Sequence, residues 1–189
     1  REDAMAIASK PTTSKVEQML IQAVVKDGEK VIFRDVKDEN SGETYNLTVA
    51  QYIAYDLGSD NLGFSNELYT KILQEAVEHC GEEGFKAEEY FTQHADINIA
   101  SVAVRLSVDR FQLAESLQVK ETEQTLRDRV IHLVADFRLE YVSSHLKELN
   151  ERLLQVKDPQ EMQEIMSEIM RTQNLRNELA KKTGSNILV

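Results

Sequence analysis

The side chains best suited to chemistry in this sequence are His132, Asp136 and Glu140, which recur at every fourth position. On a helix this spacing aligns an imidazole and two carboxylates along one stripe, and these groups can hold a divalent metal ion. No second group of candidate ligands is evident in the sequence, so a solvated polar face of a helix is the favoured interpretation. An enzyme that binds a metal ion at this stripe is kept as an alternative.

A second acidic set, Asp56, Asp60 and Glu67, has part of the spacing of a calcium-binding loop. Counted from Asp56, the third position is Gly58, which has no side-chain ligand, and the sixth is Asn61, where the loop needs glycine. We therefore interpret this segment as a polar loop between helices.

Other catalytic motifs are missing from the sequence. It contains neither a GxSxG nucleophile motif nor a glycine-rich phosphate-binding loop. Cys80 is the only cysteine, which excludes an internal disulfide and a metal site built from cysteines alone. We predict no catalytic residue, no metal site and no cofactor in this chain. The start of the sequence lacks the form of a signal peptide, and the cysteine usage favours the cytoplasm.

The charge of the chain is acidic and uneven. The formal net charge is −11, and residues 1–120 hold 21 acidic and 12 basic residues, against 12 and 10 in residues 121–189. Because nucleic-acid binding depends largely on lysine and arginine, we expect no direct contact with nucleic acid. No run of about 18 apolar residues is present, so no membrane-spanning segment is predicted either.

The pattern along the chain predicts an all-α protein. Residues 1–13 are interpreted as a flexible lead-in, and residues 14–120 as a small helical bundle. Ser14 and Thr48 are predicted helix N-caps, and Ser65 is predicted to open a further helix. Two short apolar runs flank a polar turn near residues 30–48, which is either a minor β-hairpin or a loop.

Residues 121–189 are predicted to form a long helix and a C-terminal antiparallel helical hairpin. Apolar residues recur at steps of three and four, with Tyr141 and Val142 as alternatives at one position of the stripe. Asp158 and Pro159 break this pattern as an N-cap and a first helical residue. The last helix is expected to run to about Lys182 and to be closed by Gly184.

A row of methionines, Met162, Met166 and Met170, occurs in this last helix at steps of four. Packing in the seam of the hairpin is the favoured interpretation of the row. The alternative is an adaptable contact surface for a partner, because methionine is flexible and polarizable.

Several segments of the chain resemble bacterial DnaG-type DNA primases. The segment 52–69, YIAYDLGSDNLGFSNELY, resembles the C-terminal region of these primases in the Bacteroides-like group, and so does Val31-Ile32-Phe33 with its polar insert. Residues 175–182, LRNELAKK, resemble the closing helix of DnaG primases more widely. The order of bundle, long helix and terminal hairpin is also similar, and the resemblance covers nearly the whole chain.

The resemblance implies a function in DNA replication. The chain would be the C-terminal part of a primase, which agrees with a sequence that does not start with methionine. It would dock the primase on the N-terminal collar of the hexameric replicative helicase of the DnaB type. Primer synthesis, with zinc and magnesium, would belong to other parts of the parent protein. We predict that the exposed flanks of the hairpin bind the helicase, through Tyr141, His145, Met170, Gln173, Asn177 and Lys181.

One further alternative uses the same apolar stripe. A self-associating coiled-coil protein would bury this stripe against a second copy of the chain. The mass of the protein in solution, measured over a range of concentrations, separates this alternative from an adaptor that is monomeric.

Overall fold

The computed structural model describes residues 14–114 and 121–185 of the chain. The chain divides into two compact units, residues 1–127 and residues 128–189. The division falls inside a long helix, seven residues beyond the boundary at 120 that the sequence suggests. The lead-in predicted for residues 1–13 lies outside the described residues.

The described part of the chain is mostly helical, with one small β-hairpin, and the predicted all-α class is confirmed. Its elements are, in order, α1 (Lys15–Asp27), β1 (Val31–Lys37), β2 (Thr44–Thr48), α2 (Val49–Ser59), α3 (Glu67–His79), α4 (Ala87–Thr92), α5 (Ile97–Ala114), α6 (Glu123–Gln155) and α7 (Pro159–Ser185).

The first unit is a bundle around α1. Helix α1 contacts α2, α3, α4 and α5 and buries apolar residues on several sides, which is why its sequence is rich in valine, leucine and isoleucine. Ser14 caps α1 by accepting a hydrogen bond from the Glu17 amide, at 3.2 Å. Gly28 follows the helix, and a Cβ atom there would lie 2.4 Å from the Val24 carbonyl oxygen. Glycine is therefore needed at this close approach.

A small antiparallel hairpin links α1 to α2, so the hairpin alternative at residues 30–48 is the correct one. The strands β1 and β2 pair from Val31 with Thr48 to Lys37 with Thr44, with two irregularities between these ends. Thr48 then caps α2 in a capping box with Gln51, as both side chains bond to the backbone of the other residue.

The start of α3 differs from the prediction that Ser65 opens it. Asn66 is the N-cap, and its side chain accepts from the Leu68 amide at 2.9 Å. Ser65 instead donates its amide and its hydroxyl to the carboxylate of Glu17, and the Asn66 amide donates to the same carboxylate. Glu17 is only 3% exposed, so a buried carboxylate on α1 satisfies the backbone that precedes α3.

The second unit contains the greater part of α6 and all of α7. Asp158 caps α7 as predicted, since its carboxylate accepts from the Glu161 amide at 3.1 Å. Helix α7 runs to Ser185. Gly184 therefore lies within the last turn of α7, and the prediction that it closes the helix near Lys182 was wrong.

Candidate partner-binding surface

The hairpin of α6 and α7 is held together by a short apolar seam. Four residues form its core, two from each helix: Leu146, Leu149, Ile165 and Ile169. Leu153 of α6 and Val156, which directly follows α6, pack against them. Thr172 continues the buried line on α7 and is 9% exposed. These residues fix which face of α7 points toward α6.

The buried apolar residues of α6 lie on different sides of the helix in its first and second halves. Its first half buries Val130, Leu133 and Phe137, whereas the second half buries Val142 and Leu146. The step of five from Phe137 to Val142 breaks the pattern of threes and fours, so the buried stripe moves around the helix. Of the two alternatives at this position, Val142 is buried and Tyr141 is 45% exposed.

Two polar contacts between the helices mark one side of the seam. The imidazole of His145 lies 3.2 Å from the carboxylate of Glu168, and the guanidinium of Arg152 lies 2.6 Å from that of Glu161. Each pair joins α6 to α7, and all four side chains are at least 41% exposed. One flank of the hairpin is thus a charged, solvated surface.

The methionine row lies on the opposite side of the seam. Successive residues of a helix turn by about 100°, so Met166 lies roughly 80° to one side of the Ile165–Ile169 line and Glu168 roughly 80° to the other. Met162, Met166 and Met170 are 36%, 52% and 66% exposed. The favoured interpretation of this row as seam packing was therefore wrong, and isoleucines form the seam instead.

The methionine row continues toward the C-terminus as a surface without charge. We call it the methionine face, and its residues are all exposed: Met162, Met166, Met170, Gln173, Asn177 and Ala180. Together they span a sector of roughly 80° on α7, about 27 Å long. Lys181 lies at the edge of the face and is exposed as well.

The charged residues of α7 occupy the remaining surface of the helix. By the same helical geometry Glu164, Arg171 and Glu178 lie on the side away from the methionine face. Although 29% of the residues in the chain are charged, this exposed face of about five turns carries no charge. Such a face is suited to burial against another molecule, because no charge has to lose its hydration.

The six residues predicted to bind a partner are divided between the two sides of the hairpin. Met170, Gln173, Asn177 and Lys181 follow one another along or beside the methionine face. Tyr141 and His145 lie on the α6 surface that also carries Arg152, as the contact of His145 with Glu168 shows. The predicted set therefore forms two separate surfaces.

One exposed apolar residue of the hairpin was missed by the sequence interpretation. Leu154 is 88% exposed and is located in the last turn of α6. Helical geometry places it on the same side of the seam as Met162 and Met166. A leucine directly after the stripe residue Leu153 is a signal that could have pointed to it, because two adjacent residues cannot both face the seam.

The two metal-binding patterns considered in the sequence have different local structures. His132, Asp136 and Glu140 lie on α6 as the spacing predicts. Asp56 and Gly58 lie within α2, so the segment that starts at Asp56 is not a continuous loop. Among the described residues, no three histidine, cysteine, aspartate or glutamate side chains are grouped so that they could hold a metal ion.

Comparison with known proteins identifies a family but no function. The profile of a family described as a domain of unknown function, DUF8430, matches residues 6–187, and the chain belongs to this family. No curated protein and no solved structure matches the chain. In the part of the chain that the structure describes, no helix combines the length and apolar character needed to cross a membrane.

Proposed function

We propose that this member of the DUF8430 family is the helicase-docking part of a cytoplasmic DnaG-type primase, and that the methionine face of α7 is its contact surface. The partner would be the N-terminal collar of the replicative DnaB-type helicase. Docking would raise the effective concentration of the primase catalytic core beside the unwound strand. The resemblance of the sequence to primases suggests the partner, and the exposed methionine face supports the contact.

The observation that carries the proposal is the exposed apolar and amide surface of α7. Methionine side chains adapt to the shape of a partner and are common on surfaces that bind helices. Gln173 and Asn177 add donors and acceptors that can bond to a partner without the desolvation cost of a full charge. A helix with an uncharged face is the partner structure that fits this surface best.

The affinity of the proposed contact should depend only weakly on salt concentration. Attraction between charged surfaces weakens as the ionic strength rises, because at 0.1 M salt ions largely screen exposed charges that are more than about 10 Å apart. The methionine face contains no charge to screen. Its affinity for the helicase should therefore change little between low and high salt.

Calorimetric titration of the chain into the matching helicase hexamer tests the proposal. We expect binding, and Met170→Ala should weaken it about tenfold, or about 1.4 kcal/mol. Leu175→Ala is the matched control, since Leu175 is 48% exposed on the same helix but outside the methionine face. Absence of binding at about 100 μM, roughly 5.5 kcal/mol of affinity, would contradict the proposal.

Self-association through the same face is the second candidate function. The exposed methionines favour it as well, because two copies could pair their uncharged faces. In that case the mass in solution would double with rising concentration, and Met170→Ala would shift this transition. A monomer at all concentrations, together with binding to the helicase, supports the docking function.

A further inference from the structure

The first unit contains an apolar pocket between α2 and α3. Its volume is about 350 Å³, at the lower end of the range typical for ligand sites. The walls come from α2, from the loop that follows it and from α3. Six apolar side chains line it: Ala54, Leu57, Leu62, Phe64, Leu73 and Val77. Thr70, Gln74 and Glu78 supply its polar groups, and Glu78 is the only charged residue of the lining.

The rim of the pocket after α2 is held by a Schellman motif. The Leu62 amide donates to the Leu57 carbonyl at 2.9 Å, and the Asn61 amide donates to the Gly58 carbonyl at 3.2 Å. Asn61 has a φ of +54°, the left-handed conformation that this motif requires. Leu57 and Leu62 are the residue pair whose apolar contact usually accompanies the motif, and both line the pocket.

The opposite end of the same loop is fixed from α1. The buried carboxylate of Glu17 accepts hydrogen bonds from the backbone of Ser65 and Asn66, directly after the pocket residue Phe64. The ring of Phe64 packs edge-on against that of Tyr69, at 6.1 Å between centroids, and Tyr69 is buried. The pocket is therefore formed before a ligand arrives, which lowers the entropic cost of binding.

The unit that contains the pocket has a negative net charge. Residues 1–127 hold 23 acidic and 13 basic residues, a net charge of −10, whereas residues 128–189 have a net charge of −1. No lysine, arginine or histidine lines the pocket, and Glu78 is exposed at its surface. An acidic ligand would have no counter-charge there, but a basic group beside an apolar one would be attracted.

From this geometry we propose that the α2–α3 pocket binds a short basic peptide segment of a partner, with apolar anchors in the pocket and a lysine or arginine beside Glu78. A volume of about 350 Å³ accommodates more than one leucine-sized side chain. An amphipathic segment with two anchors one helical turn apart fits this space. The site belongs to the first unit and does not depend on the proposed function of α7.

Three labelled peptides of about twelve residues test this site by fluorescence polarisation. The first has two leucines spaced by four and lysines on its other face, the second replaces the leucines with alanine, and the third replaces the lysines with glutamate. We expect the first peptide to bind at least about ten times more tightly than either of the others. The largest amide shifts in the NMR spectrum of the protein should fall on residues that line the pocket.

Two variants of the pocket check the location of binding. Leu73→Gln keeps the size of the side chain but makes it polar. This variant should weaken the first peptide about tenfold. Glu83→Gln is the charge control, since Glu83 is exposed outside the lining. It should leave affinity unchanged, whereas Glu78→Gln should reduce it.

Three results would overturn the proposal. Equal affinity for the leucine and alanine peptides would show that charge alone attracts them. Equal affinity for the lysine and glutamate peptides would show that Glu78 does not contribute to binding. Unchanged affinity in Leu73→Gln, in a protein whose melting temperature is that of the natural chain, would locate binding outside the pocket.

Discussion

The bundle and the hairpin achieve stability in different ways. In the bundle, residues such as Leu20, Ile53 and Ile72 are completely buried, and even a carboxylate, Glu17, is enclosed and hydrogen-bonded. In the hairpin, the seam residues Leu146 and Ile169 retain 7% and 8% exposure, and large apolar side chains beside them are open to solvent. Both units leave large apolar side chains exposed, among them Tyr55, Ile97 and Val108 in the bundle and Leu154, Met166 and Met170 in the hairpin. The hairpin differs because its exposed apolar residues lie directly beside a narrow seam, where a partner can cover them.

The two regions also differ in charge. A net charge of −10 in residues 1–127 keeps other acidic molecules away from the bundle. The near-neutral residues 128–189 allow close approach, and the methionine face presents no charge at all. The contrast can be tested with variants that should destabilise the bundle, destabilise the hairpin or change only the pKa of one carboxyl group.

Replacement of Glu17 should have the largest effect on stability. Glu17→Ala removes the acceptor of three hydrogen bonds and leaves the Ser65 and Asn66 amides without their partner. We expect a loss of about 3 kcal/mol in the free energy of unfolding, measured by urea denaturation. Glu67→Ala is the control, because Glu67 is exposed in the first turn of α3. A loss below about 1 kcal/mol would show that water replaces the carboxylate.

A smaller effect is expected from the seam of the hairpin. Ile165→Ala removes a side chain that is 3% exposed and should reduce the stability of α7 by about 2 kcal/mol, near the low end for isoleucine because the seam can relax. Met166→Ala, one residue further along the helix, should cost less than about 0.5 kcal/mol. Amide hydrogen exchange of α7 measures both. Equal costs would mean that Met166 belongs to the seam.

The cap of α7 should contribute less again. Asp158→Ala removes the carboxylate that accepts from the Glu161 amide and should cost about 1 kcal/mol. In this variant, amide exchange should become faster in the first turn of α7 and stay unchanged in the middle of the helix. Gln160→Ala, which leaves the cap in place, serves as the control. Unchanged exchange in the first turn would show that the Arg152–Glu161 ion pair alone holds this end.

The smallest effect concerns an exposed pair in the first unit. The guanidinium of Arg34 forms a two-pronged contact with Glu123, and this hydrogen bonding lowers the pKa of the Glu123 carboxyl. The stabilisation should therefore be present above the ordinary carboxyl pKa and be lost as the pH falls through the lowered value. Arg34→Gln should raise the pKa of Glu123, as followed by NMR titration, and Lys37→Gln should not. An unchanged pKa in Arg34→Gln would show that the contact does not persist in solution.

Local signals in the sequence predicted much of the fold. Ser14, Thr48 and Asp158 act as the N-caps that their residue types indicate, since capping depends only on the next three residues. The contact of Glu17 with Ser65 could not be predicted in this way. It joins residues 48 positions apart, and a glutamate in the first turn of a helix is usually exposed.

The sequence predicted the two helices that form the candidate surface, but not which face of each helix is exposed. Apolar residues on α7 cover a wide sector that includes both Ile165 and Met166, and only the position of α6 decides which of them is buried. The step of five from Phe137 to Val142 likewise determines where Tyr141 points. The sequence pattern therefore grouped Tyr141 and His145 with Met170, although the structure separates them.

Comparison of the two sides of the hairpin tests the docking account most directly. The affinity of the natural chain for the matching helicase hexamer should be measured by calorimetry beside two double variants, Met166→Ala with Met170→Ala, and Tyr141→Ala with His145→Ala. We predict that the methionine variant weakens binding roughly thirtyfold or more, about 2 kcal/mol, and that the Tyr141 and His145 variant changes it less than about threefold. The reverse order, or equal binding by all three proteins, would contradict the assignment of the methionine face as the contact surface.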